Sequence, residues 1–204
     1  MLLKQLSDSD KRIFLCLAEL ISLCDKPMLW NGKRREDATS ADLKADAVSL
    51  EWNGSVHAAM KELASSLIGD HAFETSRMPV SAKTGWVFFT GSGGSGVAHE
   101  LIERLDAMPL KAEGDSAVRV TVATSVLRDI LKEQKAATPT IPKLMLFELF
   151  LLSLTGGSIS SIQWQVLSEF KHHYKIDDYI ADDLLERAER THIEAQKTIA
   201  IILE

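Results

Sequence analysis

Residues 144–154 leave this chain least freedom. Over eleven positions only Glu148 and Ser153 are polar. The run is longer than an ordinary strand and far shorter than the roughly 20 residues of a membrane span. A helix that is apolar almost all round has to be covered on almost every side. Residues 13–24 repeat the pattern, broken only by Glu19 and Ser22. There Arg12, Glu19, Ser22 and Lys26 fall on one narrow strip, and Pro27 ends the helix. Two such helices have one natural place, side by side at the centre of a helical bundle. The expected fold is therefore all-α, built round helices at about 12–25 and 143–155. With 204 residues, 46% apolar and 25% charged, the chain can bury such a core. A single helical domain over 1–204 is expected, with 27–142 as an inserted or variable middle.

The other elements follow from periodicity and punctuation. Ser7 or Asp8 can cap the first helix. Residues 41–50 read as a short helix behind Thr39 or Ser40. Val56, Met60, Leu63, Ala64 and Leu67 recur at helical intervals, closed by Gly69. Residues 85–90, Gly-Trp-Val-Phe-Phe-Thr, suggest a short strand, and 97–108 a helix. Over 117–135, Val118, Val120 and Val122 alternate like a strand, but the longer window through Leu131 fits a helix better. Residues 136–142, with two prolines, read as a linker. Ser160 or Ser161 can cap a helix from 162 to about 174, and Asp177 the last one. In that last helix Leu185, Ala188, His192, Ala195, Ile199 and Ile202 form a heptad-like seam, long enough to pack along one or both apolar helices.

Charge and cysteine usage exclude some functions. The formal net charge is −6, which argues against non-specific nucleic-acid binding. The basic run Lys33-Arg34-Arg35 is followed at once by Glu36-Asp37. Cys16 and Cys24, eight residues apart on one helix, stand about 12 Å apart, too far for a disulfide. Without a signal-peptide pattern or a membrane-length apolar run, a cytoplasmic location is expected, with peripheral membrane contact left open.

The two apolar helices can also be set in register. Residues 12–25 align with 143–156: both stretches open on a basic residue, and Ser22 meets Ser153. Either an ancient duplication or the general likeness of apolar helices accounts for this. The helix at 144–154, the turn 155–160, the amphipathic helix through Trp164 to Tyr174 and the corner Lys175-Ile176-Asp177-Asp178 resemble the TerB-like family of helical domains, known from tellurite resistance. The resemblance is best over 143–204. It implies a helical fold and a non-catalytic interaction or scaffold role, in bacterial stress response or envelope-linked assembly, with another protein as partner. The family's turn carries an aspartate and, several residues on, a glutamate, the suspected metal ligands. Here those positions are Gly156 and Gln163. In the first copy Asp25 remains, followed by Pro27. The expectation is therefore no metal and no cofactor.

Other constellations are weighed against plainer readings. Gly91, Ser92, Gly93, Gly94, Ser95 and Gly96 satisfy G-x-G-x-x-G ahead of a helix. With His99 they form the candidate ligand loop of a small phosphate- or nucleotide-binding enzyme or sensor. The β-α-β alternation of a dinucleotide fold is missing, and a Gly/Ser run also describes a plain loop. Glu19, Glu148, Glu169-x-x-His172 and Glu189-x-x-His192 are the parts of a di-iron site in the wrong order and helical phase. His99 and Glu103 read as a helix-stabilising pair. Asp177, Asp178, Asp182 and Asp183 lack calcium-loop spacing. The balance leans away from an enzyme.

Overall fold

The computed structural model describes residues 2–43, 48–51, 96–109, 112, 114–132, 134 and 138–203. Within them the chain is mostly helical. A 3-10 turn (Leu2–Gln5) precedes α1 (Asp8–Leu23), and β1 (Met28–Trp30) pairs antiparallel with β2 (Val48–Leu50). Then come α2 (Gly96–Asp106), α3 (Ser116–Leu131), α4 (Thr140–Leu154), α5 (Ser161–His173) and α6 (Asp178–Leu203). The expected strand at 85–90 and the expected helix at 55–69 lie outside the described residues.

α1 starts where the Ser7 hydroxyl accepts the Asp10 N–H at 3.2 Å, one of four backbone donors that a helix start leaves without intrahelical partners. From Phe14 to Cys24 every residue is buried. α1 packs against α2, α3 and α4, so it is walled in on three sides. Leu17, Leu20 and Ile21 meet a common core with Val126 and Leu127 of α3 and with Leu146 and Leu149 of α4. The two apolar helices are thus neighbours at the centre. α6 packs most extensively on α4, and α5 bridges α3 and α4.

Three local expectations are corrected. Of the helix expected at 41–50, the described residues 41–43 and 48–50 are not helical. Asp42 closes a turn, and Val48–Leu50 is a strand paired with Met28–Trp30. The pairing takes precedence over helical periodicity because it carries Leu50 into the core beside Met28 and Trp30. A separate tight turn ends β1 at Asn31-Gly32, with φ of 52° and 77°. Two consecutive positive-φ residues make the tight turn that suits a right-twisted β-ribbon. Trp30 and Lys33 exchange both backbone hydrogen bonds across it, at 2.8 and 3.0 Å. Second, α4 begins at Thr140, inside the stretch read as a linker. Pro142 stands in its first turn, where a missing N–H costs nothing. Third, the seam of α6 is covered over only part of its length. Ala181 and Ala188 are buried, whereas Ile199 is 55% and Ile202 74% exposed.

Leu149 is 1% exposed between α1 and its neighbours. Leu149→Ala should cost about 3 kcal/mol in urea unfolding, within the usual range for a large core truncation. Leu17→Asp with Leu149→Asp should abolish soluble expression; recovering that double variant as a folded protein would show that α1 and α4 are not the core.

Candidate interaction surface

The residues singled out from sequence are dispersed. Gly91, Ser92, Gly93, Gly94 and Ser95 lie outside the described residues. Gly96 is the first residue of α2. His99 is an exposed surface residue with its Nε2 3.8 Å from Glu103. The helix start behind the loop already has a carboxyl group facing it. The Ala98 N–H donates to the carboxyl of Glu19, which reaches across from α1.

Glu19 is 2% exposed. Burial raises its pKa from an ordinary 4.5 to about 8, against the pull of the Ala98 hydrogen bond. Its Oε1 is buried without a hydrogen-bond partner. Losing water is the larger effect, so the group is mostly a neutral carboxylic acid near pH 7. Burial likewise raises the Cys16 and Cys24 thiols well above their ordinary range, which removes both as nucleophiles.

The turn after α1 is held by a cation that belongs to the chain. Arg119 of α3 donates through Nη1 to the carbonyls of Lys26 at 2.5 Å and Cys24 at 3.4 Å. Asp25 does not stand alone: its Oδ1 lies 2.9 Å from Lys26 Nζ. Orientation makes this an ionic contact, because the same oxygen has no partner of hydrogen-bond geometry. The second turn is fixed differently. Ser160 Oγ accepts the Gln163 N–H at 3.2 Å and Gln163 Oε1 accepts the Ser160 N–H at 2.9 Å, a capping box. Gln163 Nε2 then donates to the Ile21 carbonyl of α1 at 3.0 Å. A glutamate here would set a carboxylate oxygen against that carbonyl, so the position calls for an amide. No signal in the one sequence marks Arg119 or Gln163 as ties to α1, because their partners are 93 and 142 residues away.

The carboxylates and imidazoles of the di-iron pattern go separate ways. Glu169 pairs with Arg128 at 2.7 Å, Glu189 is exposed, and His192 contacts Gln196 at 2.8 Å. Among the described residues no three His, Cys, Asp or Glu side chains converge as a metal would require.

What the described residues do offer is a groove between α4, α5 and α6. Leu146 and Phe150 of α4, Trp164 and Leu167 of α5, and Ala181 and Leu185 of α6 line a recess of about 50 Å³. Ser168, Lys171 and Asp182 supply its polar groups. Trp164 is 40% exposed and packs on Phe150 with ring centroids 6.0 Å apart. Its register explains the exposure: Ile162, Val166, Leu167 and Phe170 form the buried stripe of α5, and Trp164 sits at the stripe's edge. Compared with known proteins, the chain matches no family model, no curated protein and no solved structure.

Two outcomes are expected here. The proton on Glu19 is held by the folded state between about pH 4.5 and 8 and released by the unfolded one. The stability it contributes is full below about 4.5 and lost as pH rises towards 8. Glu19→Gln should therefore gain stability over the parent, by a few kcal/mol at pH 8 and by little at pH 4.5. Urea titrations at both values check this, and a gain independent of pH would disprove it. Calcium or manganese should leave the melting temperature unchanged, since Arg119 already binds the carbonyls of the first turn and the second turn lacks acids. A stoichiometric ion with micromolar affinity in isothermal titration, abolished by Asp25→Ala, would contradict that.

Proposed function

We propose that this chain is a non-catalytic helical interaction module of TerB-like type whose docking surface is the groove between α4, α5 and α6. The observation that carries the reading is Trp164, left 40% exposed over an apolar recess. Large aromatic side chains beside a pocket are the usual anchors of protein–protein contact. The recess has room for the end of one apolar side chain, and its rim carries Asp182 and Lys171, the latter paired with Asp178 at 2.5 Å. The partner is another protein presenting an apolar anchor, by the helix-in-groove mode of recognition. The resemblance to TerB-like domains suggests stress response or envelope-linked assembly as the setting. Cys16 and Cys24, both free, fit a reducing, cytoplasmic compartment.

The phosphate-binding alternative has less support. Its helix start donates the Ala98 N–H to Glu19, and its one described side chain, His99, is turned to solvent beside Glu103.

A photo-crosslinking amino acid at position 164, compared with one at the exposed position Glu36, tests the reading in cells. A discrete protein adduct from 164 alone, lost when Lys171→Glu is added, is expected. Equal adducts at both positions, or a nucleotide that raises the melting temperature of the purified chain, would overturn it.

A further inference from the structure

α6 carries more seam than the described residues cover. At 3.6 residues per turn, Ala181, Leu185, Ala188, His192, Ala195, Ile199 and Ile202 lie within roughly a 100° arc. Upstream the arc is filled: Ala181 and Ala188 are buried, and α4 is the helix against them. Downstream the same arc is bare, with Ile199 and Ile202 exposed. The charged residues of this half keep to the other side of the helix and pair among themselves. Glu186 meets Arg190, and Lys197 meets Glu194 at 2.7 Å. The uncovered stripe, which includes Leu203, therefore continues an existing helix–helix interface and has the uncharged Thr191, Gln196, Thr198 and Ala200 beside it, while the exposed Ile193 and Ile201 lie off it.

We propose that the C-terminal half of α6 pairs with the same segment of a second copy of the chain, antiparallel and about a two-fold axis at residue 197. In that register the contacting residues sum to one value. Ala195 faces Ile199 of the second copy, and His192 faces Ile202, each pair occurring twice. A small side chain meets a large one in both inner layers, which suits close packing of two helices. No charge is brought against a like charge, because the flanks are threonine, glutamine and alanine. A two-fold axis makes this a self-complementary patch, the commonest form of closed association.

Parallel pairing does not work for the same stripe. Two helices packed seam to seam stand about 8–10 Å apart. Upstream of His192 each seam is already covered by the α4 of its own chain. Parallel alignment would drive both α4 helices into one gap. Antiparallel alignment sends the two bodies to opposite ends and leaves the gap free. The contact is short, about 16 Å for the eleven residues after His192. That is small beside a standard stable interface, so the dimer is weak and dissociates on dilution.

Sedimentation of the full chain across roughly a hundredfold range of concentration tests the proposal. The expected apparent mass rises from that of one chain towards that of two. Ile199→Asp with Ile202→Asp should abolish the rise and leave the melting temperature within about 2 °C, as exposed substitutions do. Orientation is read by oxidation of two variants, each with one cysteine added to the buried Cys16 and Cys24. Chains carrying Ala195→Cys mixed with chains carrying Ile199→Cys should give a mixed disulfide, and Ile199→Cys alone should give none. A chain that stays monomeric throughout overturns the proposal, as does a dimer that survives the double aspartate variant. An Ile199→Cys homodimer disulfide overturns the antiparallel register.

Discussion

A helix covered on every side cannot send its polar groups to water, and α1 imposes that condition on everything around it. Its hydroxyl, its carboxyl and the carbonyls at its C-terminal end all need partners inside the protein. Ser22 meets the need locally, donating to the Ala18 carbonyl at 2.7 Å. Ser153 does the same on α4, to Leu149 at 2.8 Å, so the two aligned serines share one device. The remaining groups recruit residues from far along the chain. Ala98 of α2 comes to Glu19, Gln163 of α5 to Ile21, and Arg119 of α3 to Cys24 and Lys26. Three of the other helices are thus tied to α1 by a polar contact as well as by packing. Packing alone is permissive about rotation and sliding; a hydrogen bond of fixed length to a named carbonyl is not.

Those ties also bear on function. The sequence offers a candidate anion site at the glycine-rich helix start, and the family resemblance alone would place a cation at the acidic turn, where the sequence expectation is no metal. In the fold each of these places meets a charged or chargeable side chain of the same molecule: the carboxyl of Glu19 at the first, the guanidinium of Arg119 at the second. The second turn, where a glutamate would complete the family pattern, carries an amide whose N–H₂ is spent on α1. Groups that could recruit small ligands are thereby engaged in holding α1, and attention shifts to the outer side of α4, α5 and α6, where apolar surface is left over.

How much of this was legible depends on the range of the interaction. The two central helices, the caps at Ser7 and Ser160, the helix at 97–108 and the helical reading of 117–131 rest on contacts within a few residues, and the chain states them directly. Val118, Val120 and Val122 alternate, yet Val122, Val126, Leu127 and Ile130 form the buried stripe that decides the matter. The β-ribbon was missed because three-residue strands carry almost no periodicity and Met28 pairs as far along the chain as Leu50. The hub at Asp42 was not foreseeable from spacing. That one carboxylate accepts from Thr39 Oγ1 at 2.7 Å, Thr39 N at 2.9 Å, Lys33 at 3.0 Å and Asn31 at 3.2 Å. The Thr39 hydroxyl and N–H, more than Lys33 or Asn31, hold it well below the usual carboxylate range. Of the candidate site, the residues in the loop lie outside the described region, and the groove could not be read at all, because its wall is shared by three helices.

The seam of α6 shows why periodicity tells where a helix has a face but not how much of it is covered. A heptad pattern depends only on the sequence of its own helix, whereas burial depends on the length of the neighbour. α4 has 15 residues and α6 has 26, so at about 1.5 Å per residue they run roughly 22 and 39 Å. α4 is too short to cover more than part of the face. The exposed remainder stays helical by local means, through the pairs Glu186–Arg190 and Glu194–Lys197 and the continuous backbone ladder from the anchored half. Residues such as Ile199 and Ile202 contribute nothing to the fold of one chain and would be better replaced by polar ones if solubility were the only demand. At heptad spacing and in phase with Ala181 and Ala188, they are the residues that the proposed pairing with a second α6 would cover.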